Sequence, residues 1–270
     1  MTFWKSMLQW CQIRLIRDKR MNSIIEELKQ FVIANKTSES LPYINLTDDD
    51  KYAGWVNATG SNGSNLLLKL DLTKEWDQFC LFALASAWSR TGQWENAVYF
   101  VINIRKCFND IKNIDIVKLR KECNSFVKEH GKRLKEEGKT RKKLAFRKDL
   151  YPSFDKLTKK WSKIKQKLEG SGKSGNWKGF VKYLRGIKGL AGKDKAMSIK
   201  IPLILRELRC QKIFNIPGGL CCTADSRVKK TYKERGVGLP SDFIKASEKI
   251  YEDFGDLYDI PAFANAGKEG

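Results

Sequence analysis

The chain of 270 residues carries 52 Lys and Arg against 31 Asp and Glu, which gives a net charge of +21 and a pI near 9.7. Its length and its 41% hydrophobic content suffice for one large or two small globular domains, and they exclude a disordered chain. No run approaches the roughly 20 consecutive apolar residues of a transmembrane helix, so no membrane partner is expected. The charge instead predicts a polyanionic partner.

The N-terminal part divides into three segments. Residues 1–20 form a basic, amphipathic extension that is too broken by charge for a secretory signal. They are either a surface-seeking helix or a stretch upstream of a working start at Met21. Residues 21–34 have apolar residues at helical spacing and predict a helix. Residues 35–72 are rich in Asn, Ser, Gly and Asp, and they predict a loop with short ordered pieces.

Two buried helices are predicted next. Residues 76–88 are apolar nearly all round, which is typical of a helix surrounded by other protein elements. Residues 94–108 show the same pattern. The intervening Arg90-Thr91-Gly92 breaks the first helix.

Most of the excess charge lies in one block. Residues 118–200 hold 27 Lys and Arg against eight Asp and Glu, a net charge of +19, and the rest of the chain carries only +2. Within it, residues 116–148 predict one long or kinked helix, and residues 156–168 predict a basic amphipathic helix. Such a concentrated block indicates a nucleic-acid footprint, and a solvated lysine-rich helix is the alternative.

Two features inside the block exclude particular chemistries. His130, the only histidine, is expected to be exposed, and a single histidine excludes a His-based metal centre and makes a Ser-His-Asp triad improbable. The segment Gly170-Ser-Gly-Lys-Ser-Gly175 has part of a P-loop pattern, but the first glycine is missing at the required spacing and no strand precedes it. It is therefore interpreted as a flexible linker.

Seven cysteines are scattered along the chain without a Cys-x2-Cys pair. This arrangement supports neither a zinc site nor an iron–sulfur cluster, so no metal and no cofactor are expected. The adjacent Cys221 and Cys222 are expected to be free thiols rather than a strained disulfide. Buried thiols indicate a reducing compartment.

A glycine-rich turn is the most informative local motif. Residues 177–184 predict a helix, the turn Leu184-Arg-Gly-Ile-Lys-Gly189 follows, and residues 195–208 predict a second helix that Pro202 can kink. Glycines permit a sharp turn, and a helix N-terminus presents backbone N–H groups to anions. This favours a phosphate-binding helix–hairpin–helix, with an ordinary helical connection as the alternative. The candidate DNA-binding residues are Gly186, Lys188, Gly189, Gly192, Lys193 and Lys200.

Beyond the second helix, a Gly/Pro-rich loop at residues 216–220 leads to Asp225, which opens another helix. Thr223 is the predicted N-cap of that helix. Residues 241–258 predict a final helix.

The hairpin, the Lys195-Ala196 pair at a helix start, the Gly/Pro-rich loop and the Asp225 stretch together resemble the helix–hairpin–helix DNA glycosylase superfamily. The gap between lysine and aspartate is most similar to that of the archaeal 8-oxoguanine DNA glycosylase branch. The resemblance implies an all-α, two-lobed fold with the active site in the inter-lobe cleft. The implied parts are a basic extension (1–20), the N-terminal segment of the second lobe (21–72), a central helical lobe with the hairpin (73–212), and return helices that complete the second lobe (213–270).

The resemblance also implies roles for two residues. Lys195 is the expected nucleophile that attacks the sugar C1′ and forms a Schiff base, and neighbouring cations would lower its pKa from the usual value of about 10.4. Asp225 is expected to stay ionised beside the helix N-terminus, to stabilise positive charge on the sugar and to move protons. Lys193 is the rival nucleophile. The alternatives without catalysis are a phosphate clamp at Lys195 and a helix cap at Asp225.

The implied activity is excision of 8-oxoguanine from duplex DNA with associated abasic-site lyase activity. Trp88 and Gln93 are the candidates for base recognition, and a core tryptophan is the favoured alternative for Trp88. The alternatives are another damaged or mismatched base, or a non-catalytic DNA-binding module. The expected partner is double-stranded DNA with a damaged base or an abasic site, bound by a monomer in the cytoplasm at the nucleoid.

Overall fold

A computed structural model describes residues 22–30, 68, 70–91, 94–136, 146–191 and 199–266. Helices dominate these segments and none of them contains a strand, so the all-helical class is confirmed for the described part. Several predictions concern residues outside it. These are the extension 1–20, almost all of the segment 35–72, and the candidate site residues Gln93, Gly192, Lys193 and Lys195.

Ten helices are described. They are α1 (22–30), α2 (Glu75–Thr91), α3 (Trp94–Cys107), α4 (Ile116–Glu136), α5 (Leu150–Ser174), α6 (Trp177–Leu184), α7 (Lys200–Cys210), α8 (Ser226–Glu234), α9 (Phe243–Phe254) and α10 (Ile260–Ala266). Short 3-10 turns occur at Ile111–Asn113, Gly218–Leu220 and Gly255–Leu257.

Helix α2 is the centre of the core, as its all-round apolar sequence predicts. It packs against α3, α5 and α7, and residues 79–87 are buried without exception. The Trp161 ring of α5 meets the rings of Phe79 and Phe82 edge-on, with centroids 5.3 and 5.4 Å apart. Replacing a buried aromatic of this kind with Ala typically costs about 3–5 kcal/mol of stability.

Helix α5 runs straight through the segment that the sequence indicates as a linker. Gly170 and Gly172 are helical, and the helix ends only at Gly175, which caps it at a φ of +73° and donates its N–H to Ser171. A Cβ at Gly172 would lie 2.7 Å from the Phe214 ring, so this glycine lets the ring approach the helix. The linker interpretation is wrong because tertiary packing overrides the composition.

The long helix predicted for residues 116–148 is shorter than expected. Helix α4 is described to Glu136, and residues 146–149 are not helical. His130 on α4 is half-buried rather than exposed. Its ring packs against Tyr99 of α3 and stacks on Phe126, with centroids 5.3 and 5.9 Å away.

The C-terminal helices also differ from their predictions. Pro202 lies in the first turn of α7, where its missing N–H interrupts no helical hydrogen bond. The predicted single helix at 241–258 ends at Phe254. A 3-10 turn and Tyr258, at a φ of 54°, then lead to α10, which packs against α8.

None of the helices in the described segments is both long and apolar enough to cross a membrane.

Candidate functional site

Helix α6 forms where its local sequence predicts it. Asn176 caps the N-terminus by accepting the Gly179 N–H at 3.0 Å. The buried face then repeats at helical spacing and packs against α5. Its members are Trp177, Phe180, Val181 and Leu184. Lys178 and Lys182 are left on the exposed side.

The hairpin after α6 is a compact series of turns. Gly186 and Ile187 donate their N–H groups to the last turn of α6, at 3.0 and 2.9 Å. Gly189 has a φ of +106°, which side-chain-bearing residues rarely adopt. A Cβ at that position would lie 2.7 Å from the Ser86 hydroxyl of α2. Glycine is therefore required at position 189 both by the backbone and by the close approach to α2.

Lys200 is a buried residue that binds the hairpin from the core side. Only 4% of this residue is exposed, and its ammonium group donates to the carbonyl oxygens of Gly189 and Ser86. The sequence suggests Lys200 as a surface cation around the turn that contacts DNA. The structure instead buries it at the start of α7, where it joins the hairpin to α2. This difference arises because the core contacts of α7 are not visible in a pattern of local charges.

The hairpin retains two backbone hydrogen-bond donors, one on the exposed Lys188 and one on the buried Gly189. Among the described residues, neither the Lys188 N–H nor the Gly189 N–H has an acceptor. The Lys188 side chain is exposed and forms no ion pair there. Successive unpaired backbone N–H groups beside a cation are the features that bind phosphate in proteins. The exposed Lys188 side of the hairpin is therefore the candidate place for binding an anion.

Asp225 is the N-cap of α8. Its Oδ1 accepts the N–H groups of Arg227 and Val228, both at 2.9 Å, and its Oδ2 accepts no hydrogen bond from the described residues. The prediction of Thr223 as the N-cap is wrong, because the residue that caps α8 is Asp225, two positions later. Its N–H and hydroxyl donate instead to the carboxylate of Asp259, at 2.9 and 2.6 Å.

The pKa of Asp225 is raised above its ordinary value. Burial is the largest cause, and the negative charge of Asp259 adds to it. The N–H groups of Val228 and Arg227 act in the opposite direction without outweighing burial. Burial thus raises the pKa of Asp225 even though the carboxyl lies at a helix N-terminus, and the expectation that it stays ionised remains a prediction. A half-buried carboxyl with a raised pKa and one uncommitted oxygen is suited to proton transfer.

Asp259 and Arg206 were missed by the sequence analysis. The Arg206 guanidinium of α7 pairs with Asp259 at 3.2 Å, and both side chains are nearly buried. Because Asp259 also accepts both donors of Thr223, it fixes the segment that ends at Asp225. The two residues of the ion pair are 53 positions apart in the chain, and no local spacing indicates that they meet.

The Gly/Pro-rich loop packs against α9 rather than projecting from the molecule. A Cβ at Gly218 would overlap the Tyr251 ring, and one at Gly219 would lie 3.1 Å from Glu248. Arg209 of α7 donates to the Ile216 carbonyl of the same loop. These contacts fix the start of the segment that leads to Asp225.

Cys221 and Cys222 lie in that segment with free, buried thiols, which confirms the expectation for this pair. Burial raises the pKa of the Cys221 thiol to about 12, and that of Cys222 is also well above its ordinary value. Thiols that stay protonated at neutral pH are poor nucleophiles. They therefore contribute packing rather than reactivity.

A surface pocket of about 380 Å³ lies at the C-terminal end of α7, with Arg209, Lys212, Phe214 and Tyr258 in its lining. The Arg209 guanidinium in this lining already donates hydrogen bonds to the Ile216 carbonyl, the Tyr251 hydroxyl and the Asp256 carboxylate. The pocket therefore offers few uncommitted groups for a ligand, and it contains none of the candidate site residues.

The structure brings some of the candidate site residues together. The hairpin contains Gly186, Lys188 and Gly189, and the buried Lys200 binds it through the Gly189 carbonyl. Trp88 is half-buried against the core, two residues after Ser86, which contacts Gly189. The remaining candidates, Gln93, Gly192, Lys193 and Lys195, are outside the described residues.

A comparison of the chain with protein-family models, with curated proteins and with solved structures finds no match.

Proposed function

We propose that this protein is a helix–hairpin–helix DNA glycosylase with abasic-site lyase activity. The observation that carries the proposal is the Lys188 and Gly189 backbone N–H groups, which have no acceptor within the described segments, next to the exposed Lys188 side chain. Backbone donors bind a phosphate without reading the base sequence, as an enzyme that searches DNA for rare lesions requires. The net charge of +21 adds long-range attraction to DNA.

Contacts on the core side of the hairpin restrict the position of those donors. Lys200 binds the Gly189 carbonyl from the core side, and Ser86 leaves no room for a Cβ at Gly189. A rigid turn loses little conformational freedom when it binds a phosphate, which favours affinity. The duplex would then lie across the hairpin, with the damaged nucleotide turned out into a cleft between two helical lobes.

In the proposed reaction, the neutral amine of Lys195 attacks C1′ of the flipped nucleotide. The bond from C1′ to the base breaks, and the base leaves with the bonding electrons and takes up a proton. Loss of a proton from the amine and opening of the sugar ring give a Schiff base. Removal of a 2′ proton then expels the 3′ phosphate by β-elimination, and water releases the lysine.

Asp225 would supply the carboxylate of this reaction. Its Oδ2 is not committed to the α8 cap, so it can stabilise positive charge on the sugar or carry a proton. Its raised pKa brings the carboxyl closer to the pH range in which protons are exchanged. No metal or cofactor takes part in these steps.

The proposed lesion is 8-oxoguanine in duplex DNA, with Trp88 and Gln93 as base-recognition residues and a monomer in the cytoplasm as the working form. An oxidised pyrimidine or a mismatched base is the alternative within the same chemistry. The half-buried position of Trp88 against the core is compatible with packing as well as with stacking on a base.

Borohydride trapping of the purified protein on two duplexes tests the proposal. One duplex carries 8-oxoguanine and the other an abasic site. We expect a covalent adduct on both, its loss in Lys195→Gln, and its retention in Lys193→Gln. An adduct on the abasic duplex alone would support the lyase activity and would reject 8-oxoguanine as the lesion.

A non-catalytic DNA-binding protein is the second candidate. It is favoured by the use of Asp225 as a helix cap, which is a sufficient structural reason for an aspartate there. Absence of any adduct, together with salt-dependent binding to undamaged duplex, would replace the enzyme by this second candidate.

A further inference from the structure

The lysines of α5 fall into two sets. Four of the seven are separated by four, three and four residues, so they lie on one side of the helix. They are called the lysine stripe below, and they are Lys156, Lys160, Lys163 and Lys167. All four are exposed, and the stripe runs beside the buried face of α5.

Ion pairing distinguishes the stripe from two of the three other lysines of α5. Lys159 pairs with Asp155 at 2.7 Å, and Lys165 pairs with Glu75. By contrast, no lysine of the stripe has a carboxylate within ion-pair distance in the described part of the chain. Two of the three lysines outside the stripe are thus neutralised, whereas Lys173 near the helix end and all four lysines of the stripe have no ion pair among the described residues.

The dimensions of the stripe suit a nucleic-acid strand. From Lys156 to Lys167 it spans 11 helical residues, or about 16 Å at the usual rise of an α-helix. One strand of B-DNA carries a phosphate per about 3.4 Å of axis, so that length corresponds to about five phosphates.

The stripe continues into the hairpin. The ammonium of Lys167 lies 4.9 Å from the centre of the Tyr183 ring, in the last turn of α6. The Tyr183 carbonyl in turn accepts the N–H of Gly186. Lys182 and Lys188 are exposed on either side of that turn. The stripe and the hairpin donors therefore belong to one continuous region.

The surroundings of the stripe favour a nucleic-acid duplex over a single strand or a lipid surface. Single strands are bound by exposed aromatic rings on which bases stack, but Tyr151, Phe154 and Trp161 of α5 are all buried. The half-buried Tyr183 ring beside the stripe already has the Lys167 ammonium over it. A helix that binds a lipid surface inserts an exposed apolar face, whereas the apolar face of α5 lies in the core. A backbone contact to a duplex needs neither feature.

We infer that the lysine stripe is a second phosphate-binding surface, which extends the duplex footprint of the hairpin to one side. This inference rests on the proposed function for the choice of DNA as the partner. It requires no catalytic step, because the stripe binds undamaged duplex as well as damaged duplex.

Matched triple variants test the inference in the full-length protein. The test variant is Lys156→Gln, Lys160→Gln, Lys163→Gln, and the control is Lys159→Gln, Lys165→Gln, Lys173→Gln, which removes the same charge from the same helix. Kd is measured on an undamaged duplex of about 30 base pairs between about 0.05 and 0.2 M salt. Circular dichroism verifies that both variants fold.

We expect the test variant to reduce the slope of log Kd against log salt by about 2–3 and to weaken binding roughly tenfold or more at 0.1 M salt. The control should change the slope by less than about one. Equal slopes for the two variants, or no change in either, would overturn the inference. Tighter, stripe-dependent binding to an RNA duplex or to anionic vesicles of phosphatidylserine would overturn the assignment to DNA.

The two proposals fail separately. The salt slope needs no lesion, so a negative trapping experiment leaves it interpretable. An unchanged slope would reject the stripe as a phosphate-binding surface. The glycosylase proposal would then depend on the hairpin alone for DNA binding.

Discussion

Asp225 has two physical roles that separate at its two carboxylate oxygens. Oδ1 caps α8 through the Arg227 and Val228 N–H groups, and Oδ2 is uncommitted among the described residues. The cap defines where α8 begins. The uncommitted oxygen and the raised pKa are what the proposed chemistry would use.

Replacing Asp225 with Asn should preserve the cap and abolish proton transfer. Because the folded pKa is raised, this carboxyl contributes stability below the ordinary value of 3.8, and that contribution is lost as the pH rises through the raised pKa. Asn does not titrate, so the stability of Asp225→Asn relative to wild type should increase from acid to neutral pH. Thermal denaturation across this range measures it.

The control for this prediction is Asp225→Ala, which also does not titrate but loses the cap, so it should be about 1 kcal/mol less stable than Asp225→Asn at every pH. A constant difference between wild type and Asp225→Asn at all pH values would show that the carboxyl is not perturbed in the folded protein.

Lys200 and Lys188 lie near the same turn but should respond differently to substitution. Lys200→Met leaves the carbonyl oxygens of Gly189 and Ser86 without their buried donor, and it should lower the free energy of unfolding by about 2–3 kcal/mol. Lys188→Met removes an exposed cation, so stability should stay nearly constant while DNA affinity falls. Urea denaturation and duplex titration of both variants measure the contrast. Equal loss of stability would contradict the buried position of Lys200.

Among the elements, α6 could be predicted to the residue and the end of α5 could not. The signals for α6 are local, because the apolar residues repeat at helical spacing between two glycine-containing segments. For α5, the composition of Gly170-Ser-Gly-Lys-Ser-Gly175 outweighed any helical signal. The helix continues there because the Phe214 ring, from the segment after α7, packs directly against Gly172. Phe214 lies 42 positions further along the chain, so no local pattern reveals the contact.

Two alanine substitutions test this account of α5. Gly170 has open space around a Cβ, so Gly170→Ala should stabilise the helix by about 0.5–1 kcal/mol. Gly172→Ala places a methyl group against the Phe214 ring, and it should be destabilising despite the same gain in helix propensity. Chemical denaturation of the two variants gives the signs. Two changes of negligible size would indicate a mobile linker.

At the scale of the whole molecule, α7 connects the two halves of the candidate site. Its first residue supports the hairpin, and Arg206 near its middle pairs with Asp259 beneath the Asp225 segment. The sequence indicated the hairpin and the helix start at Asp225, because both depend on nearby residues. It could not indicate the burial of Lys200 or the Thr223–Asp259 contact, which depend on packing between distant elements.

The net charge of +21 has a consequence for the free protein. Like charges concentrated in residues 118–200 repel one another, and salt screens that repulsion over a Debye length of about 10 Å at 0.1 M. The Tm of the DNA-free protein should therefore rise with salt, and the lysine-stripe triple variant should show a smaller rise. Differential scanning calorimetry at several salt concentrations measures both. A Tm that falls with salt would mean that attractive ion pairs dominate.

The central claim is that a lysine between the hairpin and α7 forms a Schiff base with DNA. Borohydride trapping on a duplex with a single abasic site, followed by peptide mapping of the adduct, tests it most directly. We predict that the sugar is attached to Lys195, and attachment to Lys193 would keep the mechanism and correct the nucleophile. No adduct, or an adduct at the N-terminal amine or at a lysine of the stripe, would contradict the account.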